Sequence, residues 1–541
     1  MTQPVTPSTP GQRPKSLGVR LARSAGAIGA ATATSRVLGL VRDQVLAALF
    51  GASNELDAFI VAFRIPNLVR DLFAEGAMSA AFVPTFTRHL TRHGREDAWR
   101  LGNNVLNAVV VATALLVAIG MVFAHPLVSL YASSYARVPG KLELTVELTR
   151  VMLPFLILVA IAAAAMGMLN SLHHYFLPAL SPAMFNVATI VCAFALAPVM
   201  PRLGLPRIMA IAIGALLGGL GQVLLQWPSL RREGFRYAPR LDVHDRGLRE
   251  VLILMGPGTI GLAATQVNIF VNTLLATSQG TGAVSWLTFG FRLMYLPIGL
   301  VGVSIATAVL PAVSRHAAAD EMGEVRHTVA RGLALMLMLN VPATFGLITL
   351  ATPIVQLLFQ RGHFLAADTV PTAEAVRLYA AGLVGYSAVR IASPTFYALR
   401  RSRVPVIVSV CTVVLNVALS VTLVHVMGFL GLALGTSISA LANGGTLVFL
   451  LRRQLDGIEG RRLGVTFVKI VAAALVMSAT VLAVERGLLA ALPGTNVAAQ
   501  VLRLVSSIGL GVLALGFAAR LLRIDEFDSA VAIVRGRLTA R

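Results

Sequence analysis

The chain has 541 residues, of which 56% are hydrophobic and only 13% are charged, and its mean hydropathy is +0.79. This composition excludes a soluble or disordered protein and indicates a polytopic membrane protein. The formal net charge of +21 would indicate a nucleic-acid partner for a soluble chain, so the placement of the basic residues must be examined first. Two cysteines, Cys192 and Cys411, lie in apolar stretches and predict neither a disulfide framework nor a metal cluster.

Fourteen stretches have the length of about 20 largely apolar residues that a bilayer-spanning helix needs. The first is predicted to be a retained helix rather than a signal peptide, because it contains Arg36, Arg42 and Asp43. The predicted spans are 24–49, 56–86, 101–130, 145–170, 178–199, 207–229, 251–277, 282–312, 332–351, 373–398, 404–426, 430–451, 465–485 and 498–519.

The connections between these spans differ sharply in Lys and Arg. Twenty-nine basic residues lie in the two tails and on the same side of the membrane as the tails. Six lie in connections on the other side: Arg137, Lys141, Arg202, Arg207, Arg361 and Arg486. The positive-inside rule therefore predicts that both termini are cytoplasmic. It also accounts for the net charge without a nucleic-acid partner.

An internal repeat relates the second span to the eighth. Phe63-Arg64 corresponds to Phe291-Arg292, and Val83-Pro84 corresponds to Leu310-Pro311 at nearly equal spacing. Each is the second helix of a six-helix set, so the sequence predicts an all-α membrane protein with two pseudo-symmetric six-helix lobes in parallel orientation. The predicted parts are an N-terminal tail at 1–23, an N-lobe at 24–231, a C-lobe at 232–453, two extra helices at 454–523 and a C-terminal tail at 524–541.

The second span carries charges that a lipid-facing helix would not carry, and ionisable groups at that depth mark a functional site. A polar stripe with helical spacing is formed by Arg64, Asn67, Asp71 and Glu75, and Arg70 lies about 100° away from it. On the first span, Arg36 and Asp43 are seven residues apart and share a face. Arg292 has no carboxylate in its own helix, so it is predicted to be unpaired.

Arginine suits bidentate recognition of phosphate and keeps its charge when partly dehydrated. A cavity lined by Arg36, Arg42, Arg70 and Arg292 would therefore bind an anion such as a pyrophosphate. The alternative is that each arginine is neutralised by a carboxylate and only holds helices together.

The sequence contains no nucleotide-binding loop, no zinc-protease motif and no cysteine nucleophile with a partnering base, which indicates a transporter without a cofactor rather than an enzyme. The GxxxG motifs at Gly214–Gly218 and Gly431–Gly435 predict close helix packing.

Three stretches carry a resemblance to a known family: SRVLGLVRD (35–43), LDAFIVAFRIPNLVRDLFAEGAMSAAFVP (56–84) and GAVSWLTFGFRLMYLPIGLVGVSIATAVLP (282–311). The chain resembles the MurJ/MviN family of lipid II flippases, within the multidrug/oligosaccharidyl-lipid/polysaccharide exporter superfamily. The resemblance implies movement of the undecaprenyl-pyrophosphate-linked peptidoglycan precursor from the inner to the outer leaflet of the bacterial plasma membrane. It also implies a cationic central cavity, and a groove for the lipid tail along the last two helices.

The resemblance implies roles for individual residues as well. Those implied or predicted to bind substrate are Arg36, Arg42, Arg64, Asn67, Arg70 and Arg292, and those assigned to gating or a charge network are Asp43, Asp57, Asp71 and Glu75. The chain departs from relatives at Arg70-Asp71, where they often have two arginines, and at Phe291-Arg292, where they have an Asp-Arg pair. No carboxylate accompanies the polar side chains of spans 7, 11 and 12, so membrane potential rather than sodium is the predicted driving force.

The sequence leaves three rival functions open. They are export of another lipid-linked oligosaccharide, a drug/cation antiporter, and a membrane scaffold that transports nothing. An antiporter of that kind is expected to centre on acidic residues, whereas the cavity predicted here is basic. The predicted partners are lipid II, membrane lipids and cell-wall synthesis and division proteins, and the predicted state is a monomer.

Overall fold

In the computed structural model, residues 15–71, 78–299, 303–494, 496–528 and 531 are described. These ranges contain α-helices, short 3-10 helices and no β-strand, so the all-α prediction is confirmed. The helices are α1 Lys15–Phe50, α2 Asn54–Arg70, α3 Ser79–Arg92, α4 Arg95–Val122, α5 Ala124–Tyr131, α6 Lys141–Met152, α7 Phe155–Ser171, α8 Phe176–Ala195, α9 Met209–Arg232, α10 Arg246–Thr277, α11 Ala283–Pro297, α12 Val303–Ala318, α13 Met322–Phe359, α14 Ala366–Ala381, α15 Leu383–Ala398, α16 Arg403–Met427, α17 Phe429–Gln454, α18 Gly460–Ala491 and α19 Val497–Leu521.

Each of the fourteen predicted spans coincides with one helix or with two successive helices. Nine helical stretches of the described chain are long and apolar enough to cross a membrane by themselves. The tenth span is divided into α14 and α15, each of 16 residues, and neither helix alone has the length of about 20 residues that a membrane span needs.

The splits occur at equivalent places in the two sets of six spans. In the second span α2 ends at Arg70 and α3 begins at Ser79, and in the eighth span α11 ends at Pro297 and α12 begins at Val303. Positions 71, 78 and 298–299 are π-helical, and 72–77 and 300–302 lie outside the described residues. The fourth span is divided at Leu153-Pro154 and the tenth at Gly382. The matching breaks of the fourth and tenth spans support the internal repeat, because a local distortion of this kind has its own sequence cause in each copy.

Two compact units make up the chain, and the lobe boundaries predicted from the sequence stay a prediction. Unit 1 contains the chain up to Arg42, Val69–Ile119 and Val151–Gly258. Its apolar core includes Phe82, Phe86 and Phe235, with Trp99 packed against them. Unit 2 contains Asp43–Leu68, Gly120–Arg150 and the chain from Thr259 onward.

Within unit 1, three asparagines of α4 bind the segment that leads from α9 to α10. Asn104 donates to the Asp242 carbonyl at 2.9 Å and accepts from the Asp242 N–H at 2.8 Å. Asn103 accepts from the Ala238 N–H at 2.9 Å, and Asn107 donates to the Ala238 carbonyl at 2.8 Å. The backbone N–H and C=O groups of an irregular segment need hydrogen-bond partners, and here the asparagine side-chain amides supply them.

The glycine motifs lie where helices approach most closely, as predicted. A Cβ added at Gly218 of α9 would lie 2.6 Å from the Cα of Phe185 on α8. A Cβ at Gly431 of α17 would overlap the backbone of Leu423 on α16. Only a residue without a side chain permits these approaches, so the motifs serve packing.

In unit 2, α18 and α19 pack on each other and on α13. Their other faces expose large apolar side chains, such as Val468 at 67% and Phe517 at 72%. Exposed apolar surface of this extent is the surface that a lipid environment covers.

Candidate substrate and gate sites

Two of the predicted substrate-binding residues lie on α1 in unit 1. The Arg42 guanidinium lies over the Phe185 ring of α8, 5.2 Å from its centroid. One residue further along α8, Asn186 donates to the Ser35 carbonyl at 3.0 Å. Arg36 is half-buried next to this contact. The hydrogen bond and the cation–π contact therefore hold this part of α1 against α8.

Arg70 is paired with its sequence neighbour at the end of α2. Its Nε and Nη2 both donate to Asp71 Oδ1, at 3.0 Å and 2.6 Å. The two side chains are 29% and 23% exposed. Asp71 therefore compensates part of the charge of Arg70, while both groups keep access to solvent. Glu75, the last residue of the predicted polar stripe, lies outside the described residues.

The other two members of that stripe lie in unit 2. Arg64 is half-buried. Asn67 Oδ1 is buried and has no hydrogen-bond partner among the described residues. A buried amide oxygen without a partner is uncommon, and a role as a substrate contact stays a prediction for Asn67.

The expectation that Arg292 is unpaired is wrong. Its Nη1 lies 2.6 Å from Asp43 Oδ2, with the two side chains 39% and 5% exposed. The counter-ion comes from α1 rather than from the helix of Arg292, so the sequence of that helix alone does not reveal it. Asp43 and Arg292 both belong to unit 2, whereas Arg36, predicted to share a face with Asp43, belongs to unit 1.

Asp57 is the centre of a buried polar network in unit 2, and it is fully buried itself. Its carboxylate accepts from the Gly282 N–H at 2.8 Å, the Ser285 N–H at 3.1 Å and the Ser285 hydroxyl at 2.7 Å. Lys141 Nζ, at the start of α6, donates to it at 3.1 Å. We call this group of Asp57, Lys141, Gly282 and Ser285 the clasp.

The clasp satisfies helix termini as well as charges. Asp57 lies in the first turn of α2 and accepts the free N–H groups at the start of α11, and both positions favour a negative charge. Gly282 has φ of +90°, a conformation that glycine adopts without strain. The Lys141 ammonium lies 4.0 Å from the centroid of the Tyr135 ring, which supports it on its other side.

Asp57 was predicted to belong to a charge network, but its partner Lys141 was missed. Lys141 was counted among the basic residues of an external connection, because nothing local distinguishes it from them. The available signal is residue type, since the sequence has only three lysines against 42 arginines. The Lys141 ammonium is a compact charge with three donors, and it lies between the Tyr135 ring and the Asp57 carboxylate.

Further hydrogen bonds surround the clasp in unit 2. Thr281 Oγ1 donates to Asn54 Oδ1 at 2.8 Å, and the His363 N–H donates to the Ala48 carbonyl at 2.9 Å. Ser134 Oγ donates to the Thr277 carbonyl at 2.8 Å. The ends of α1, α2 and α5 are thus bonded to the segments around α10, α11 and α13.

The polar side chains of α10 and α16 bind one another. Asn272 Nδ2 donates to Asn416 Oδ1 at 3.1 Å, and Ser420 Oγ donates to Asn272 Oδ1 at 2.8 Å. These three residues supply amides and a hydroxyl and no carboxylate.

Comparison with solved structures defines the class of protein first. An inward-facing multidrug resistance MATE family transporter of the MOP superfamily superposes with a TM-score of 0.65, over 78% of this chain and 94% of that chain, at 17% identity. The chain therefore has the fold of these polytopic α-helical membrane transporters.

The family follows from closer matches. The family model described as lipid II flippase MurJ matches residues 46–498. A lipid II flippase MurJ of Burkholderia cenocepacia is 34% identical over 83% of this chain and 87% of its own length, and a probable one of Vibrio cholerae is 33% identical over 78% and 81%. A solved structure of lipid II flippase MurJ in an inward closed conformation has a TM-score of 0.76 at 25% identity, covering 92% of this chain and 99% of that chain. The chain belongs to the lipid II flippase MurJ family, so it is an inner-membrane transporter and not an enzyme.

Proposed function

We propose that this protein flips lipid II from the inner to the outer leaflet of the plasma membrane by alternating access. The family supplies the substrate class, and the parallel repeat supplies two halves that can rock about a path between them. Both termini are cytoplasmic in this proposal, because the side with twenty-nine basic residues is then the inside. One copy of the chain suffices, and the enzymes that consume the flipped precursor are its proposed partners.

The observation that carries the proposal is the clasp. In the proposed orientation, the start of α2, the start of α6 and the start of α11 all lie at the outer face. The clasp joins residues before 150 to residues after 259 within one compact unit, and its charged side chains are almost inaccessible to water. It therefore acts as an outer gate in its closed form, and opening it separates Asp57 and Lys141 from the start of α11 or from each other.

The arginines supply the substrate contact. Arg70 and Arg292 are each paired with an aspartate and remain 29% and 39% exposed. A pyrophosphate offers more negative charge and more acceptor oxygens than a single carboxylate, so it can take the place of the aspartate at either guanidinium. Arg36 and Arg42 of α1, and Arg64 and Asn67 of α2, complete the proposed set. The exposed apolar faces of α18 and α19 are the proposed contact for the prenyl tail.

The first experiment measures the leaflet in which the precursor lies. Cells depleted of the protein are rescued with wild type, Arg292→Ala or Arg202→Ala, and a membrane-impermeant hydrolase then cleaves precursors exposed outside. Arg202 is an exposed arginine of the loop between α8 and α9, which makes it the matched control. We expect wild type and Arg202→Ala to restore cleavage and Arg292→Ala to leave precursors protected. Cleavage that never depends on the protein would refute the proposed substrate.

The second experiment tests alternating access at the outer gate. In a chain with Cys192 and Cys411 replaced by serine, cysteines at Asn54 and Thr281 are joined with a short, reducible bifunctional thiol reagent. We expect the cross-link to stop flipping and reduction to restore it.

The matched control pair is Gln360 and Thr369, whose side chains lie 3.0 Å apart and both belong to the predicted C-lobe. Cross-linking this pair should leave transport unchanged. Full transport with the 54–281 cross-link in place would contradict a gate at the clasp.

A further inference from the structure

A cluster of metal-ligating side chains lies in unit 1, away from the sites described above. His89 belongs to the last turn of α3, His93 follows that helix directly, and Asp97 lies in the first turn of α4. His89 Nδ1 lies 2.6 Å from Asp97 Oδ2, and His93 Nδ1 lies 3.8 Å from the same oxygen. One ligand atom from each of the three residues lies within 4.8 Å of the other two.

The backbone brings these groups together for local reasons. His89 and His93 are four residues apart, so their rings project from the same side of the helix and their centroids are 5.3 Å apart. Gly94, with φ of +88°, turns the chain at once into α4, whose first turn then faces the end of α3. The side chain of His93 is 58% exposed and that of Asp97 is 35% exposed, so an ion can reach the cluster from water.

Nearby arginines would repel a cation if they were unpaired, but two of them are engaged. Arg88 donates to Glu250, and Arg95 lies 3.4 Å from Glu233. The Asp97 carboxylate lies close to both imidazoles, and its 2.6 Å contact with His89 Nδ1 orients that ring.

We propose that His89, His93 and Asp97 bind one Zn²⁺ ion, with water as the fourth ligand. Zinc takes imidazole nitrogen and carboxylate oxygen at about 2.0–2.2 Å in tetrahedral geometry, which places ligand atoms about 3.3 Å apart. Separations of up to 4.8 Å need to shrink by about 1.5 Å at most, and the 2.6 Å contact between His89 Nδ1 and Asp97 Oδ2 needs to lengthen by about 0.7 Å. The His93 side chain is 58% exposed, so it has room to move. Mg²⁺ and Ca²⁺ prefer oxygen ligands, and the site offers them one carboxylate.

The bound ion would fix the turn between α3 and α4. Because α3 contains the last residues of the second predicted span, zinc would hold the end of that span against the start of α4. The hydrogen-bonded His89–Asp97 pair without zinc affinity is the alternative that the experiment must exclude.

The test uses the purified full-length protein in detergent, stripped of metal and freed of any histidine tag. Zn²⁺ is titrated in competition with a chromophoric chelator, and Co²⁺ is added separately to record its visible d–d absorption. We expect one equivalent of zinc to bind, and His93→Ala and Asp97→Asn to weaken binding at least about tenfold. His173→Ala, which removes another exposed histidine, should bind as wild type.

Thermal unfolding without metal shows whether each variant is folded, and His93 is suited to this test because its side chain is largely exposed. Loss of the cobalt spectrum in His93→Ala but not in His173→Ala would support the site. The proposal is overturned if wild type binds no stoichiometric zinc, or if His93→Ala binds zinc as tightly as wild type.

Discussion

Replacing Asp57 with asparagine is the sharpest test of the clasp. The change keeps the size of the side chain and an oxygen that can accept from Ser285. It removes the negative charge opposite Lys141, whose side chain is 2% exposed. The substitution therefore destabilises the closed state of the gate relative to the open state, because the Lys141 ammonium is hydrated only when the gate is open.

The size of the effect follows from burial. Removing one partner of a buried ion pair costs about 3–5 kcal/mol, because the other charge is left uncompensated. The Tyr135 ring, 4.0 Å from Lys141 Nζ, stays in place and offsets part of this cost, which favours the lower end of the range. A loss of about 3 kcal/mol raises the ratio of open to closed gate by about 150-fold, since each 1.4 kcal/mol is a factor of ten.

Cysteine accessibility measures this ratio. Val61 is fully buried and lies four residues after Asp57, on the same side of α2 and one turn deeper. With Val61→Cys in a background without other cysteines, a membrane-impermeant thiol reagent applied outside reacts only when the gate opens. We expect Asp57→Asn to raise the labelling rate by up to about 150-fold, with saturation once the gate is mostly open.

Two controls make the result decisive. Thr288→Val removes only a hydrogen bond within α11 and should leave labelling unchanged. Adding Lys141→Met to Asp57→Asn removes the unpaired charge and should return labelling towards the wild-type rate, as a double-mutant cycle of a directly coupled pair requires. Equal labelling of Asp57→Asn and wild type in folded protein would refute the assignment of the clasp as the gate.

Three other changes test separate parts of the structure. Arg70→Lys keeps the charge but cannot bind phosphate with two parallel hydrogen bonds, so flipping in the leaflet assay should fall at least tenfold even though Asp71 is still paired. Asn104→Ala removes both hydrogen bonds to Asp242, and the 236–242 segment should become sensitive to limited proteolysis. Gly431→Ala forces a methyl group against the backbone of α16 and should destabilise the protein by about 1–3 kcal/mol, measured by thermal unfolding.

The helices and the repeat could be predicted because their causes are local. Span length, hydropathy and the recurrence of a Phe-Arg and a hydrophobic-Pro pair are all properties of short stretches. The close packing at Gly218 and Gly431 was predicted for the same reason, since a GxxxG motif needs only one helix to be recognised.

The pairing of charges could not be predicted because it joins distant stretches. Asp43 and Arg292 are 249 positions apart, and Asp57 and Lys141 are 84 apart, with the α11 terminus contributing from further along the chain. The helical spacing that defines a polar stripe says which side chains share a face of one helix. It says nothing about which helix lies opposite, so the pairing of Arg292 with Asp43 and of Lys141 with Asp57 is not visible in the sequence.

The ion pairs differ in their exposure to water, and we expect buried and exposed pairs to have different functions. The Asp57–Lys141 pair is buried and Asp57 accepts further hydrogen bonds, so separating the two charges costs free energy. Such a pair is suited to stabilising one conformation. The guanidinium groups of Arg70 and Arg292 are partly exposed to water, so an incoming anion can reach either of them, and Asp71, the partner of Arg70, also stays exposed to water. A transporter needs both kinds of pair, because the substrate must exchange partners quickly within a conformation while the gate must resist opening until the whole protein changes state. Moving Arg292 into a dry environment, for instance by covering it with bulky apolar neighbours, should therefore impair substrate binding without loosening the gate.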